Sequence, residues 1–334
     1  MNSGLKLLHS LILVIFIFGT ALSQDSDLRQ KPIPTKSSER SESDDPQWNR
    51  WTSESFVVHA LTNDRGKYLR DNLEGIKKWI LERWGLHQIE FGKEPIQTGE
   101  GIKEYSHVKL WCIDDPKLFK DRYSISESKV EISRKSDGSI KNVEVFLLLD
   151  ESPAADIPVP LTEALLVEFE DFHKVKFGWW AHRGMSLLNG TVSQIKSNLV
   201  DLNKKIGGGN QKIYLSKSLL TMTKENWEDQ TEGDKLLFDE ESAALCLLLR
   251  KEGGQLRFLN FLKESEANPE KALRKIYSYN QSSLYGYCYF KDWDQFNASF
   301  HGYMKRLTQD VVNGKTPNDY LNIKRVGEQS PSSR

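Results

Sequence analysis

A surplus of charge of either sign is what this sequence most plainly lacks. Its 334 residues carry 46 Lys and Arg against 47 Asp and Glu, a formal net charge of -1. No basic stripe is concentrated anywhere, so the electrostatic footprint of a nucleic-acid binder is missing and no nucleic-acid partner is expected. Cysteine is scarce too. Cys112, Cys246 and Cys288 are widely spaced, with no metal ligand close by in sequence, which leaves out a cysteine zinc site. Cys112 in a strand-like apolar run and Cys246 on an apolar helix face read as buried thiols, although an exported chain could bridge any two of the three. The glycines of KIGGGNQK (205–212) are followed by no Gly-Lys-Ser/Thr, so they form no phosphate loop. No Gly-x-Ser-x-Gly elbow marks a serine hydrolase. Of the histidines, His59, His87, His107 and His301 are scattered without paired spacing, and Asp114-Asp115 before Pro116 reads as a turn.

Long apolar runs are absent except at the start. After Lys6 comes LLHSLILVIFIFGTALSQ, closing on Ala21-Leu22-Ser23, the small-x-small pattern of a signal peptidase site with Gln24 as the first mature residue. The rival is an uncleaved anchor, for which the apolar core is short. The expectation is an exported protein (periplasmic, cell-envelope or extracellular) with no stable membrane span after cleavage. Sequons stand at Asn189, Asn280 and Asn297. Five segments follow: 1–23 signal peptide, 24–47 a polar linker of disordered composition, 48–158 an α/β subdomain, 159–322 a helical subdomain, and 323–334 a loose tail.

Periodicity supplies the elements. SFVVHAL (55–61) and HVKLWCI (107–113) read as strands. Residues 64–84 carry apolar residues at intervals of three and four and end at Gly85, an amphipathic helix with its stop signal. KVEISRKSDGSIKNVEVFLLLD (129–150) reads as two strands joined at Asp137-Gly138. After Pro158 and Pro160 the pattern turns helical: 161–176, a helix opening near Trp179 or Trp180, and 239–254, with acids at its start and glycines at its end. The expected class is α+β. A small mixed or antiparallel sheet with helices comes first, followed by a mostly helical half.

Within the helical half lies VEFEDFH (167–173), followed by WWAHRG (179–184). An ordinary helix accounts for it: Leu165, Leu166, Phe169, Phe172 and Val175 or Phe177 make an apolar face, His173 is an interface histidine, and Glu170 and Asp171 are solvent charges. The order of parts also resembles a secreted gluzincin-type, peptidase MA-like zinc metallopeptidase domain over roughly residues 50–309. That family has a strand-helix-strand unit, a His-Glu-x-x-His helix, a helix opening Trp-x-x-Glu-Gly, and an acidic-Ser-Ala helix before a Gly-rich turn, here DEESAALCLLLRKEGG.

The resemblance places the family's first metal-binding histidine on Phe169, its general-base glutamate on Glu170, its second histidine on His173 and its third ligand, a glutamate, on Arg183. It implies a degenerate zinc site and a pseudo-metallopeptidase. Phenylalanine offers no lone pair, and Arg183 is a permanent cation with no acceptor, while a catalytic zinc needs three protein ligands and an open position. No cofactor is therefore expected. In place of a metal, Glu170 or another local carboxylate would pair with the Arg183 guanidinium. His182, beside a position expected to face the metal, should point elsewhere. Trp179 and Trp180, with the aromatics from Tyr277 to Phe290, would line a cleft between the halves that takes peptide or glycan, or would fill the gap between layers. Two alternatives stand beside this binding or scaffolding role: a metal-dependent hydrolase whose zinc site is rebuilt from His173, His182 and Glu170, and a purely structural envelope protein with a filled cleft.

Overall fold

A computed structural model describes residues 47–86, 95–97, 103–105, 108–115, 117, 120, 128–138, 140–149, 157–207, 214, 216–277 and 293–315. The expected signal peptide, most of the linker, the tail, Cys288, Asn280 and the aromatics from Tyr279 to Phe290 lie outside the described residues.

The chain is α+β. Strands β1 (Asn49–Thr52), β2 (Phe56–Ala60), β5 (Val108–Ile113), β6 (Lys129–Arg134) and β7 (Ile140–Leu148) form one sheet in the order β1-β2-β5-β7-β6, and β3 (Pro95–Gln97) pairs with β4 (Lys103–Tyr105) separately. The two central ladders, β2 with β5 and β5 with β7, are parallel, and the two outer ones are antiparallel. The sheet is thus mixed. Parallel strands need a crossover, and helix α1 (Asn63–Trp84) supplies the one between β2 and the β5 side. The predicted hairpin joins β6 and β7, with Gly138 at φ 84° in the turn.

Side-chain alternation decides which sheet face is buried. Phe56, Val58 and Ala60 align with Val108, Leu110 and Cys112, and Val145 and Leu147 continue the row; all are buried in the main core. On the opposite face His59, Trp111 and Phe146 stand in register on adjacent strands, with ring centroids 4.2 and 6.4 Å apart. Glu74 of α1 accepts from Ser53 Oγ (2.7 Å) and Ser55 N (2.6 Å), which pins the β1–β2 turn to the helix.

The helical half comprises α2 (Pro158–His173), α3 (Trp179–Leu188), α4 (Val192–Gly207), α5 (Ser216–Thr221), α6 (Lys224–Glu228), α7 (Glu232–Ser265), α8 (Pro269–Tyr277) and α9 (Trp293–Val312). Helix α2 begins earlier than periodicity suggested, because Pro158 and Pro160 sit within its first turn, where a missing N–H costs nothing. Helix α7 also begins earlier. Thr231 caps it by accepting from Asp234 N (3.2 Å), so Asp239, Glu240 and Glu241 lie about two turns inside the helix and not at its dipole end. Its predicted break is at Gly254, whose φ of 66° interrupts the helix. A single core cluster runs from Phe56 in the sheet through α1, α2, α3, α4 and α7 to Val311 in α9. Among the described residues no helix is long and apolar enough to cross a membrane.

Candidate functional site

The site is built on α2, the turn after it, and α3. Leu161, Ala164, Leu165, Leu166 and Phe169 bury one side of α2. The helix ends at Lys174 in the left-handed region (φ 52°), and Val175 N returns to Glu170 O at 3.0 Å. Phe172, expected on the apolar face, is 59 % exposed, since the chain turns away one residue later. The turn brings Phe177 back so that its backbone N–H donates to the Glu170 carboxylate. Gly178 then leads into α3, where Trp180, Ala181, Met185 and Leu188 enter the core.

Phe169 and His173 share one helix face as their spacing required, with ring centroids 4.3 Å apart. Phe169 is 3 % exposed and also packs on Phe177 at 5.4 Å, while Lys263 of α7 lies 5.4 Å from its ring. His173 Nε2 is buried and has no hydrogen-bond partner among the described residues. Burial, and then the Lys263 charge, hold the His173 imidazole below its ordinary value, favouring the neutral ring.

Glu170 is not a solvent charge. Its Oε1 meets His182 Nε2 at 2.9 Å in addition to the Phe177 N–H. His182, expected to point away, is the group that α3 turns toward α2, and it is only 5 % exposed. Burial alone would lower its pKa, but the Glu170 charge and hydrogen bond, helped by Glu163, outweigh it and raise the value. Trp179 stacks on His182 at 5.6 Å.

Arg183 does pair with a carboxylate, but that carboxylate is Asp239 of α7. Arg183 Nε reaches Asp239 Oδ1 at 3.0 Å and the terminal nitrogen reaches Oδ2 at 2.5 Å, a bidentate fork. The guanidinium also lies 4.5 Å from the Trp227 ring, and Trp179 meets Trp227 edge-on at 5.6 Å. Asp239 and Trp227 escaped the sequence analysis. A signal for Asp239 existed: three acids and Ser242 lead straight into the unbroken apolar stretch Ala-Ala-Leu-Cys-Leu-Leu-Leu, so they must be buried against partners. Asp239, Glu240 and Glu241 are 7 %, 0 % and 0 % exposed.

The proposed rebuilt set is only half assembled. His182 and Glu170 touch, yet no group of three His, Cys, Asp or Glu that could hold a metal ion occurs among the described residues. The cleft residues divide as well. Trp180 is 0 % exposed and packs on Phe261, so it is core and cannot line a cleft. Trp179 is half-buried and lies over the site. Tyr277, the first of the aromatic run, is also core, donating to Leu249 O at 2.9 Å. Cys112 and Cys246 are free and buried. Asn189 is 1 % exposed, donating to Thr162 Oγ1 (2.7 Å) and accepting from Trp84 Nε1 (3.1 Å), so its sequon is closed in the folded chain. Asn297 is half-buried on α9. No family model matches the chain, and no curated protein matches it.

Proposed function

We propose that this is a non-catalytic exported protein on a zinc-metallopeptidase-like scaffold, with a binding or scaffolding role through the former substrate cleft. The observation that supports it best is the Arg183–Asp239 fork. The family's third ligand position is taken by a cation already committed to a carboxylate on another helix. The family's general base, Glu170, is likewise committed to His182 and Phe177 N, and Phe169 fills the first-ligand position with ring packing. Three features that would each serve a metal-bound water instead serve cohesion between α2, α3 and α7. Trp179, half-buried beside the site, is the aromatic through which peptide or glycan would be met.

The test is zinc stoichiometry by elemental analysis after challenge and desalting. Wild type and Phe169→His are expected to retain none, because Arg183 keeps its charge where the third ligand would be. Phe169→His with Arg183→Glu leaves Asp239 facing a like charge that a dication would relieve, and is expected to retain one ion with His173. A folded double variant that takes up no zinc would show the residue correspondence to be wrong. A wild-type chain that holds one ion, lost in His173→Ala, would establish the rebuilt hydrolase instead.

A further inference from the structure

The first turn of α1 holds a buried charge for which the described residues supply no bonded partner. Arg65 is 5 % exposed, its Nη1 is fully buried, and among the described residues it has no hydrogen-bond, ion-pair or ring partner. A buried guanidinium left unpaired is strongly destabilising. Its position makes this worse. Thr62 is the N-cap, so Arg65 is the third residue of a 22-residue helix, where the helix dipole already presents positive charge. Arginine is the wrong sign there unless something negative occupies the place.

The backbone repeats the pattern. The first helical bond is Gly66 N to Thr62 O at 3.1 Å, so the N–H groups of Asn63, Asp64 and Arg65 precede the ladder. The Thr62 hydroxyl does not cap them, although threonine commonly would. Asn63 and Asp64 are exposed. The turn follows β2 directly, at the carboxyl ends of the parallel pair β2 and β5, where open α/β sheets commonly receive ligands. The Arg65 charge acts on Tyr68, one turn along, and on the Cys112 thiol at the end of β5. Asp114 after β5 also acts on the Cys112 thiol, and among the described residues neither it nor Asp64 on the same turn bonds to Arg65. A Cβ on Gly66 would lie 2.2 Å from the Trp51 ring, so β1 covers the far side of the turn.

We propose that the first turn of α1 is an oxyanion-binding site, where the Arg65 guanidinium and the unspent N–H groups of Asn63 and Asp64 take a phosphate or carboxylate group. It shares no residue with the α2–α3 arrangement, so it stands or falls independently of the metallopeptidase comparison. An oxyanion matches all three features together: a guanidinium fork, free N–H groups and a helix dipole.

The experiment is thermal unfolding of the purified chain at constant ionic strength, titrated separately with inorganic phosphate and with acetate against chloride, with calorimetric titration of the same anions. For wild type the calorimetric isotherm is expected to saturate and the midpoint to climb with the logarithm of anion concentration, by roughly 3–6 °C at ten times the Kd. A response to phosphate alone assigns a phosphate group, and a response to acetate assigns a carboxylate. Arg65→Met and Arg65→Gln remove a buried unpaired charge, so both are expected to fold and to lose the response. No saturable binding of either anion to wild type overturns the proposal, as does an equal response in both variants. Absence of saturable binding to wild type by calorimetry overturns the proposal even if neither variant folds.

Discussion

Single residues carry more of this structure than their chemistry alone suggests. Arg183 is the clearest case. Any arginine can pair with any carboxylate, but here the fork to Asp239 and the stacking on Trp227 tie α3 to α7 and to α6. Its neighbour Gly184 makes that approach possible. A Cβ there would lie 2.5 Å from Ser242 O and 2.7 Å from Cys246 Sγ, both on α7, so the helices meet where one has no side chain. Gly184→Ala is expected to destabilise the protein by about 1–3 kcal/mol through overpacking. Gly75, also inside a helix, meets nothing within 4 Å, and Gly75→Ala should stabilise by roughly 0.5–1 kcal/mol. Urea midpoints of the two variants check both signs. Equal effects would mean that the α3–α7 contact is looser than described.

At the scale of elements, α2 and α7 carry acids into apolar surroundings. Burial pushes the Glu241 carboxyl up to about 8 against the opposing Tyr214 N–H, and Glu240 up to about 7 against the opposing Lys205 at 2.8 Å. Burial pushes Glu168 on α2 to about 8, with Lys77 opposing. In the unfolded chain each would titrate near 4.5. Between that value and about 8 the unfolded state has released its protons while the folded state holds them, so stability falls as pH rises. His182 pulls the same way: its folded value is raised, and its contribution, complete below about 6.5, is lost as pH climbs through the folded value. Denaturant stability should therefore be higher near pH 5 than near pH 8.5, by at least ~1 kcal/mol. Glu241→Gln should flatten the slope. A profile that rises toward neutrality would mean that these carboxylates are hydrated or otherwise paired.

The two halves that composition suggested do not have separate interiors at the scale of the whole molecule. The core cluster crosses from sheet to helices without a gap. Trp84 of α1 is part of the crossing, bonded to Asn189 at the end of α3, packed 5.8 Å from Phe258 and approached by Arg250 at 5.1 Å, both of α7. Unfolding should accordingly be one transition, with near-ultraviolet signals from the tryptophans and far-ultraviolet helix signal coinciding. Two resolved transitions would mean that the halves are separable and the shared core marginal.

The sequence by itself determined the local elements, including the helix that carries Phe169 and His173. Alternation and three-four spacing are properties of neighbouring residues, so β2, α1, the β6–β7 hairpin and α2 could be read from the chain within a few residues. Phe169 and His173 had to share a face because one helical turn separates them. Whether β7 pairs parallel with β5, which carboxylate meets Arg183, and where His182 points depended on elements distant in sequence. Glu170 lies nearer Arg183 in the chain, yet it is taken by His182 and Phe177 N after the turn at Lys174, while Asp239 arrives with α7, 56 residues on. The partner of a charged group is fixed by which buried surfaces come together, and only the tertiary structure decided that.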